Sequence, residues 1–338
     1  MKMAKTLTGC LAGAVLCAPM ALASEIKWSG FMSVATGITL DDDDTYQVEP
    51  TTGGTYDKDF RFDPESLVGI QAQAIITDRL RGTVQMVAKG ANDYDMTVDW
   101  AYLSYDITEK LALNAGRFRL PLFYFSDFLD VGYAYYWIRP PVEVYSTFTA
   151  ALEGVNLYHS TYVGDLGIES QVWYGAIDAE TEGGNFDTLN NQGLNAVFSY
   201  DWMKFRLLYN TTDIGVEFQI GDDVIVSELP VTFKAAAFMA DYENFLFRSE
   251  YTLADTGTET SSWYVSAGYT LGDFTPHFTH AITDPDGDAN TSSSTLGVAW
   301  NFHSSAVFKL EFTQSENETA EGMMNDVDLL STSIDILF

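Results

Sequence analysis

The chain ends in Leu329-Leu330-Ser331-Thr332-Ser333-Ile334-Asp335-Ile336-Leu337-Phe338, and the reading of this stretch decides the fold. Leu330, Thr332, Ile334, Ile336 and Phe338 alternate with Ser331, Ser333, Asp335 and Leu337. Successive side chains of a strand point to opposite faces, so the stretch reads as a strand with one apolar and one mostly polar face. The same alternation recurs upstream. Phe308, Leu310 and Phe312 alternate with Lys309, Glu311 and Thr313; Phe245, Phe247 and Tyr251 alternate with Arg248 and Glu250. Trp263, Val265, Ala267 and Tyr269 oppose Ser262, Ser266 and Thr270, and Leu296, Val298, Trp300 and Phe302 oppose Gly297 and Asn301.

From Ile26 onward such segments repeat about every ten residues, a pattern weak in one segment and strong over many. They fall at 26–38, 58–76, 79–90, 96–107, 110–120, 150–163, 166–176, 190–200, 203–213, 228–240, 244–253, 261–271, 274–283, 291–302, 306–315 and 327–338. The expected fold is an all-β transmembrane antiparallel barrel of about sixteen strands. The connectors alternate between tight pairs such as Thr108-Glu109, Gly164-Asp165, Asp201-Trp202 and Gly272-Asp273 and longer stretches, the contrast between short periplasmic turns and long external loops. The charged strand face is assigned to the lumen, because a Lys or Arg facing lipid costs roughly 2–4 kcal/mol at the bilayer midplane. Aromatics beside the tight turns, among them Trp28, Tyr200, Trp202, Phe245, Phe274 and Phe302, fit an interfacial girdle.

The first residues give a destination. Lys2 and Lys5, an apolar run from Leu7 to Ala18 and Ala21-Leu22-Ala23 read as a signal peptide cleaved after Ala23, leaving 24–338 as one barrel domain. Both cysteines, Cys10 and Cys17, leave with it. The remaining chain carries fifteen basic against forty-eight acidic residues, a charge of −33. Nucleic acid is a poor partner for such a chain, since binding it depends on Lys and Arg neutralising phosphates. No apolar stretch after the leader approaches the roughly 18 residues of a spanning helix. A membrane-spanning reading therefore requires strands.

The third long connector, Pro121 to about Thr149, is the longest and most aromatic: LPLFYFSDFLDVGYAYYWIRPPVEVYST. A segment this apolar is expected to fold into the lumen and narrow it, the alternative being an external cap or clamp between copies. Just before it stands Gly116-Arg117-Phe118-Arg119-Leu120-Pro121, and Glu153-Gly154-Val155-Asn156 opens the next strand. With the long third loop between them, these elements resemble the Gram-negative outer-membrane porin superfamily, which includes general-diffusion and phosphate-selective members. The terminal Phe338 with apolar residues at every second position likewise looks like the C-terminal signal read by outer-membrane assembly machinery. The resemblance implies a homotrimer of sixteen-stranded barrels, each a water-filled channel constricted by the third loop. Motif similarity is confined to about 114–160 and the last strand. The Pro-Glu-Phe-Gly-Gly-Asp loop motif of enterobacterial porins and the lysine ladder of phosphate channels are both missing.

Parity assigns Arg81, Lys89, Arg206, Lys234, Arg248 and Lys309 to the lumen, with Arg117 and Arg119 flanking the loop base and Arg139 within the loop. Asp127, Asp130, Glu143 and Glu153 are the acids available to face them. Arginines opposite carboxylates across a narrow gap would set a transverse field, or would merely brace the loop. For Arg117 the phase of Leu111, Leu113 and Ala115 predicts an outward side chain unless a bulge near Gly116 resets it.

Most remaining acids, Asp41 to Asp44, Asp178, Glu180, Glu182, Asp222, Asp223, Asp284, Asp286, Asp288, Glu318 and Glu321 among them, fall in predicted external loops. There divalent cations could bridge them to lipopolysaccharide. Asp284, Asp286 and Asp288 hint at a Ca²⁺ loop but lack its closing Glu and glycine position, and no cofactor is indicated. Catalytic readings are poor: His159, His277, His280 and His303 form no HExxH pair, and His277 and His280 should face opposite ways. Passive diffusion of small hydrophilic solutes and ions is the functional expectation. Its alternatives are a solute-selective channel, a structural barrel or adhesin, and a barrel hydrolase.

Overall fold

A computed structural model describes residues 25–42, 44–49, 54–145, 151–181, 184–220, 223–286, 290–318 and 324–338. The expected leader 1–23 with its two cysteines, the loop end 146–150, and Asp43, Glu182, Asp222, Asp288 and Glu321 lie outside the described residues. Eighteen strands occur among those described. They are β1 (Glu25–Thr39), β2 (Tyr46–Glu49), β3 (Gly54–Tyr56), β4 (Leu67–Ile75), β5 (Leu80–Lys89) and β6 (Met96–Thr108). Then come β7 (Leu111–Arg119), β8 (Ala151–Val163), β9 (Leu166–Thr181), β10 (Gly184–Tyr200), β11 (Met203–Ile220) and β12 (Asp223–Tyr242). The last are β13 (Phe245–Asp255), β14 (Glu259–Tyr269), β15 (Phe274–Pro285), β16 (Thr291–His303), β17 (Ala306–Glu318) and β18 (Met324–Leu337). One single-turn helix, α1 (Val142–Tyr145), lies in the third connector. No helix among the described residues is long and apolar enough to cross a membrane.

Sixteen of the strands form one closed antiparallel barrel in which β4 to β18 pair in sequence order and β1 pairs with both β4 and β18. The terminal strand closes it: Val34 lies opposite Ile334 and Phe31 opposite Leu337. Gly30 and Phe338 exchange both backbone hydrogen bonds, at 2.7 and 3.0 Å, two residues from Trp28. A Cβ on Gly30 would fall 2.3 Å from the Phe338 ring, so glycine there makes room for the terminal aromatic. Among the described residues the closure leaves the barrel wall without an edge strand.

The two faces carry opposite chemistry. Val34, Leu103, Val172, Leu194, Leu296, Leu310 and Ile334 lie on the outer face and are exposed. Between such positions Ser33, Thr83, Thr279, Thr313, Ser331 and Ser333 face inward and are buried. Aromatics gather at the short-turn rim in pairs: Trp202 with Tyr242, Phe245 with Tyr269, and Phe274 stacked on Trp300.

Two expectations about the connectors are corrected. The segment 58–76 is strand only from Leu67; Phe60 and Phe62 flank Arg61 in a strand-like alternation, but Pro64 has no backbone N–H to donate. Residues 58–63 instead cross beside β1, where Thr36 Oγ1 donates to Arg61 O at 2.6 Å. Ahead of them the β2–β3 hairpin packs Tyr46, Val48 and Tyr56 on inward-facing Val327 and Leu329 of β18. The connectors expected after residues 176 and 213 are mostly continued wall, because β9 to β12 extend as paired strands well past those positions. Asp178, Glu180, Asp223 and Glu318 therefore belong to strands rather than loops.

Candidate functional site

The third connector leaves β7 at a disturbed stretch. Gly116 has φ +134°, a value that L side chains rarely adopt, and a Cβ there would meet Ala101 O at 2.3 Å. On the far side of β6, Asp99 is the unpaired extra residue between Gln85↔Trp100 and Met86↔Val98, a bulge in the ladder. Arg119, at the end of β7, donates to both Asp99 (2.5 Å) and Asp130. Lys89 of β5 reaches the other oxygen of Asp130 at 3.0 Å. Two cations and two carboxylates thus anchor the start of the connector. Burial pushes the Asp130 carboxyl up, but Arg119 and Lys89 outweigh it and hold the group well below the usual carboxylate range.

Beyond this anchor the segment touches inward-facing side chains of many strands. Arg206 of β11 donates to the carbonyls of Pro121 and Leu122 and lies 3.6 Å from Glu250 of β13. Glu250 accepts the backbone N–H of Tyr124 (2.8 Å) and the hydroxyl of Tyr145 (2.5 Å). Trp137 Nε1 donates to Thr279 Oγ1 of β15 at 2.8 Å, and the Tyr136 hydroxyl bonds Ser266 Oγ of β14 at 2.8 Å. Lys309 of β17 donates to the carbonyls of Gly132 (2.7 Å) and Trp137, pairs with Asp335 of β18 at 2.8 Å, and stands 4.9 Å from the Tyr135 ring centroid. Glu311 accepts the N–H of Ile138 (2.8 Å), and Arg139 pairs with Glu65 at 2.5 Å. These bonds satisfy the polar backbone of an irregular segment that would otherwise be costly to bury.

Apolar contacts complete the attachment. Phe123, Phe125, Trp137, Val144 and Tyr145 form one cluster with Leu152, Trp173, Leu208, Phe233, Met239 and Tyr264 of the wall. Phe123 meets Phe233 edge-on at 5.4 Å and Trp137 meets Tyr264 at 5.7 Å. Each such buried aromatic contributes on the order of 1.5–3 kcal/mol. The segment leaves a cavity of about 630 Å³ towards the short turns, bordered by Tyr124, Phe128, Lys204, Asp241 and Arg248.

Of the residues singled out in the sequence, Arg81, Lys89, Arg206, Arg248 and Lys309 occupy the inner face, and Arg119, Asp127, Asp130, Arg139 and Glu143 lie inside with the third connector. Two placements are corrected. Lys234 is exposed on the outer face of β12, because Phe233, Ala235, Ala237 and Met239 take the inner face to meet the aromatic segment. Arg117 and Glu153 pair at 3.0 Å on the outer face, in register with exposed Ala101 and two residues before exposed Val155. Of the two readings of the opposed charges, bracing is the one seen at Asp130, which touches both Lys89 and Arg119. The partners Glu65, Asp99, Glu250 and Asp335 were not read as site residues. Only the inward parity of Glu250 and Asp335 could have singled any of them out.

Among the described residues Glu143 of α1 is buried with no hydrogen-bond partner for either carboxylate oxygen, and burial pushes its pKa up. His277 faces in against Tyr136, whereas His280 faces out beside Trp263. Among the described residues no group of three or more His, Cys, Asp or Glu side chains could hold a metal. Asp284 ends up in β15.

No family model matches this chain, and no curated protein matches it in sequence. Solved structures do match in fold. A loop-deletion mutant of OmpT, an outer membrane protein of Vibrio cholerae, superposes with a TM-score of 0.63 at 13% identity, covering 94% of this chain and 100% of that one. The outer membrane channel DcaP of Acinetobacter baumannii gives 0.63 at 11% identity, over 93% and 97%. The anion-selective porin from Comamonas acidovorans gives 0.61 at 10% identity, over 93% and 99%. The chain therefore has the sixteen-stranded barrel fold of the Gram-negative outer-membrane porins.

Proposed function

We propose that this chain is an outer-membrane channel for passive diffusion of small hydrophilic solutes and ions in a Gram-negative bacterium. The observation that carries the reading is the two-faced wall: an apolar outer band rimmed by aromatics and an inner face of hydroxyls, amides and charges. Such a wall suits lipid outside and water inside. In this reading residues 1–23 are a removed leader and the third connector is the constriction. The last strand, ending in Phe338, addresses the chain to the barrel-assembly machinery. Charged residues at the constriction are those facing in: Arg81, Lys89, Arg119, Asp127, Asp130, Arg139, Glu143, Arg206, Arg248 and Lys309. A homotrimer is the expected assembly, and acids near the long-connector rim such as Asp41, Asp42 and Asp286 are suited to bridging divalent cations to lipopolysaccharide.

Recording from purified protein in a planar bilayer tests this. Stepwise ohmic conductance is the expected result, and a silent bilayer at protein levels that yield heat-modifiable barrels would overturn the reading. Block by one class of solute would mark a solute-selective channel instead.

A further inference from the structure

A second cavity, of about 110 Å³, lies on the long-connector side of the third connector, enclosed between that segment, the first connector and the wall of β18, β1, β4 and β5. Among the described residues Tyr135 alone borders both this cavity and the larger one towards the short turns. One row of the barrel forms its wall: Asp335 lies opposite Ser33, Ser33 opposite Leu67, and Leu67 opposite Lys89. The row thus carries an acid at one end, a base at the other, and a hydroxyl and an apolar side chain between, over three strand spacings or roughly 14 Å.

Each ionic group that borders the cavity is paired. Lys89 meets Asp130 at 3.0 Å, Arg139 meets Glu65 at 2.5 Å, and Asp335 meets Lys309 at 2.8 Å. The hydroxyl of Ser33 is different: the residue is 8% exposed and has no hydrogen-bond partner among the described residues. Between the charges the lining is carbon, from Ala35, Val48, Ala91, Leu129, Ile138 and Val142.

We propose that this cavity binds a small zwitterion with a short apolar side chain, an α-amino acid of about the size of alanine. Size sets one limit, since an apolar cavity of about 150 Å³ is filled by benzene. Charge sets the other. A solute of single charge would leave water for a carbon-lined space in which each counter-charge is already engaged, at a high desolvation cost. A zwitterion brings both charges, so its carboxylate can lie by Lys89 or Arg139 and its ammonium by Asp335 or Glu65, with the Ser33 hydroxyl free to donate to one or accept from the other. Its side chain then meets the apolar lining. The binding site does not depend on conduction; its use in uptake rests on the channel reading.

Equilibrium dialysis of radiolabelled alanine against the purified full chain in detergent tests the site without any conductance, so its failure is distinct from a silent bilayer. Expected is saturable binding of one alanine per chain, displaced at least tenfold less well by propionate, ethylamine or phenylalanine than by unlabelled alanine. Ala35→Leu, which fills the cavity from β1, should weaken binding tenfold or more, and Ser33→Ala severalfold, both with heat-modifiable migration retained. Should Ala35→Leu not yield a barrel, Ser33→Ala and the competition series decide. Absence of saturable binding would overturn the inference, as would displacement by propionate or ethylamine as strong as by alanine. Folded variants that bind like wild type would overturn it as well.

Discussion

The inner face of the barrel is used in two ways. Across β11, β13 to β15, β17 and β18 the inward side chains are tied to the third connector by buried charges, hydroxyls and rings. Across β4 to β9 much of the inner face carries amides and hydroxyls that bond one another, as Gln73 does with Thr83 and Asn156 with Gln171. Both regions obey the same alternation of apolar outside and polar inside. The difference teaches that polarity on an inner face does not imply contact with solvent. A buried Lys309 is a clamp, and an exposed Glu169, at the inward parity of Trp173 in β9, is a lining.

Removing a clamp should have the largest effect. Lys309→Ala leaves the Asp335 carboxylate buried without a counter-charge and the Gly132 and Trp137 carbonyls without their donor. Breaking a buried pair by deleting one partner costs about 3–5 kcal/mol. Denaturant unfolding of refolded barrels should register a loss of that order, and single-channel records should become larger and noisier as the connector loosens. An equal loss from the matching change on the lining side, Gln73→Ala, would erase the distinction between the two regions.

Within the clamped region two carboxyls should answer acid in opposite ways. Asp130 sits below the usual carboxylate range because of Arg119 and Lys89, so its contribution is present above the ordinary value and is lost as pH falls through its own lower one. Glu143 is raised by burial, so its contribution is full below the ordinary value and lost as pH rises through its higher one. Asp130→Asn should cost about 2 kcal/mol near neutrality, as loss of charge-assisted bonds does, and the difference from wild type should shrink in acid. Glu143→Gln should be neutral or stabilising near pH 7 and lose that advantage in acid. Unfolding midpoints from pH 3 to 7 check both signs.

The wall was legible in the sequence, whereas the clamp was only partly so. Alternation placed all sixteen barrel strands, because each must present one face to lipid and one to the interior. It failed where the interior is itself apolar. Phe233 and Met239 of β12 read as lipid-facing and turn inward, since Phe123 and its neighbours reward them there, and Lys234 is carried to the outer face in consequence. Lys89 and Lys309 could be placed by parity, but what each bonds depends on how the connector folds back across the barrel, which no local pattern encodes. Glu65 and Asp99 were invisible for a similar reason, one on a connector and the other made inward-facing by a bulge. The corrected strand yields a modest prediction. Lys234→Met should leave the reversal potential unchanged and alter stability by no more than about 1 kcal/mol, because Lys234 lies opposite Leu253, two residues from the long-connector end of β13, and near that rim the penalty for a lipid-side Lys falls to ~0–1 kcal/mol.

The smallest effect belongs to the outer-face pair. Arg117 Nη1 and Glu153 Oε1 are 3.0 Å apart, and both side chains are substantially exposed, Glu153 at 62%. Arg117 also donates through Nε to the carbonyl of Val98 at 2.9 Å, which ties it to the edge of the bulged β5–β6 ladder rather than to the interior. Exposed pairs of this kind are worth about 0.2–1 kcal/mol in double-mutant cycles. A cycle of Arg117→Ser and Glu153→Gln should return a coupling energy in that range that fades as salt rises. Its reversal potential should equal that of wild type. A shift of selectivity in Arg117→Ser would place the guanidinium inside after all and break the assignment of faces on β7, on which the division between clamp and lining begins.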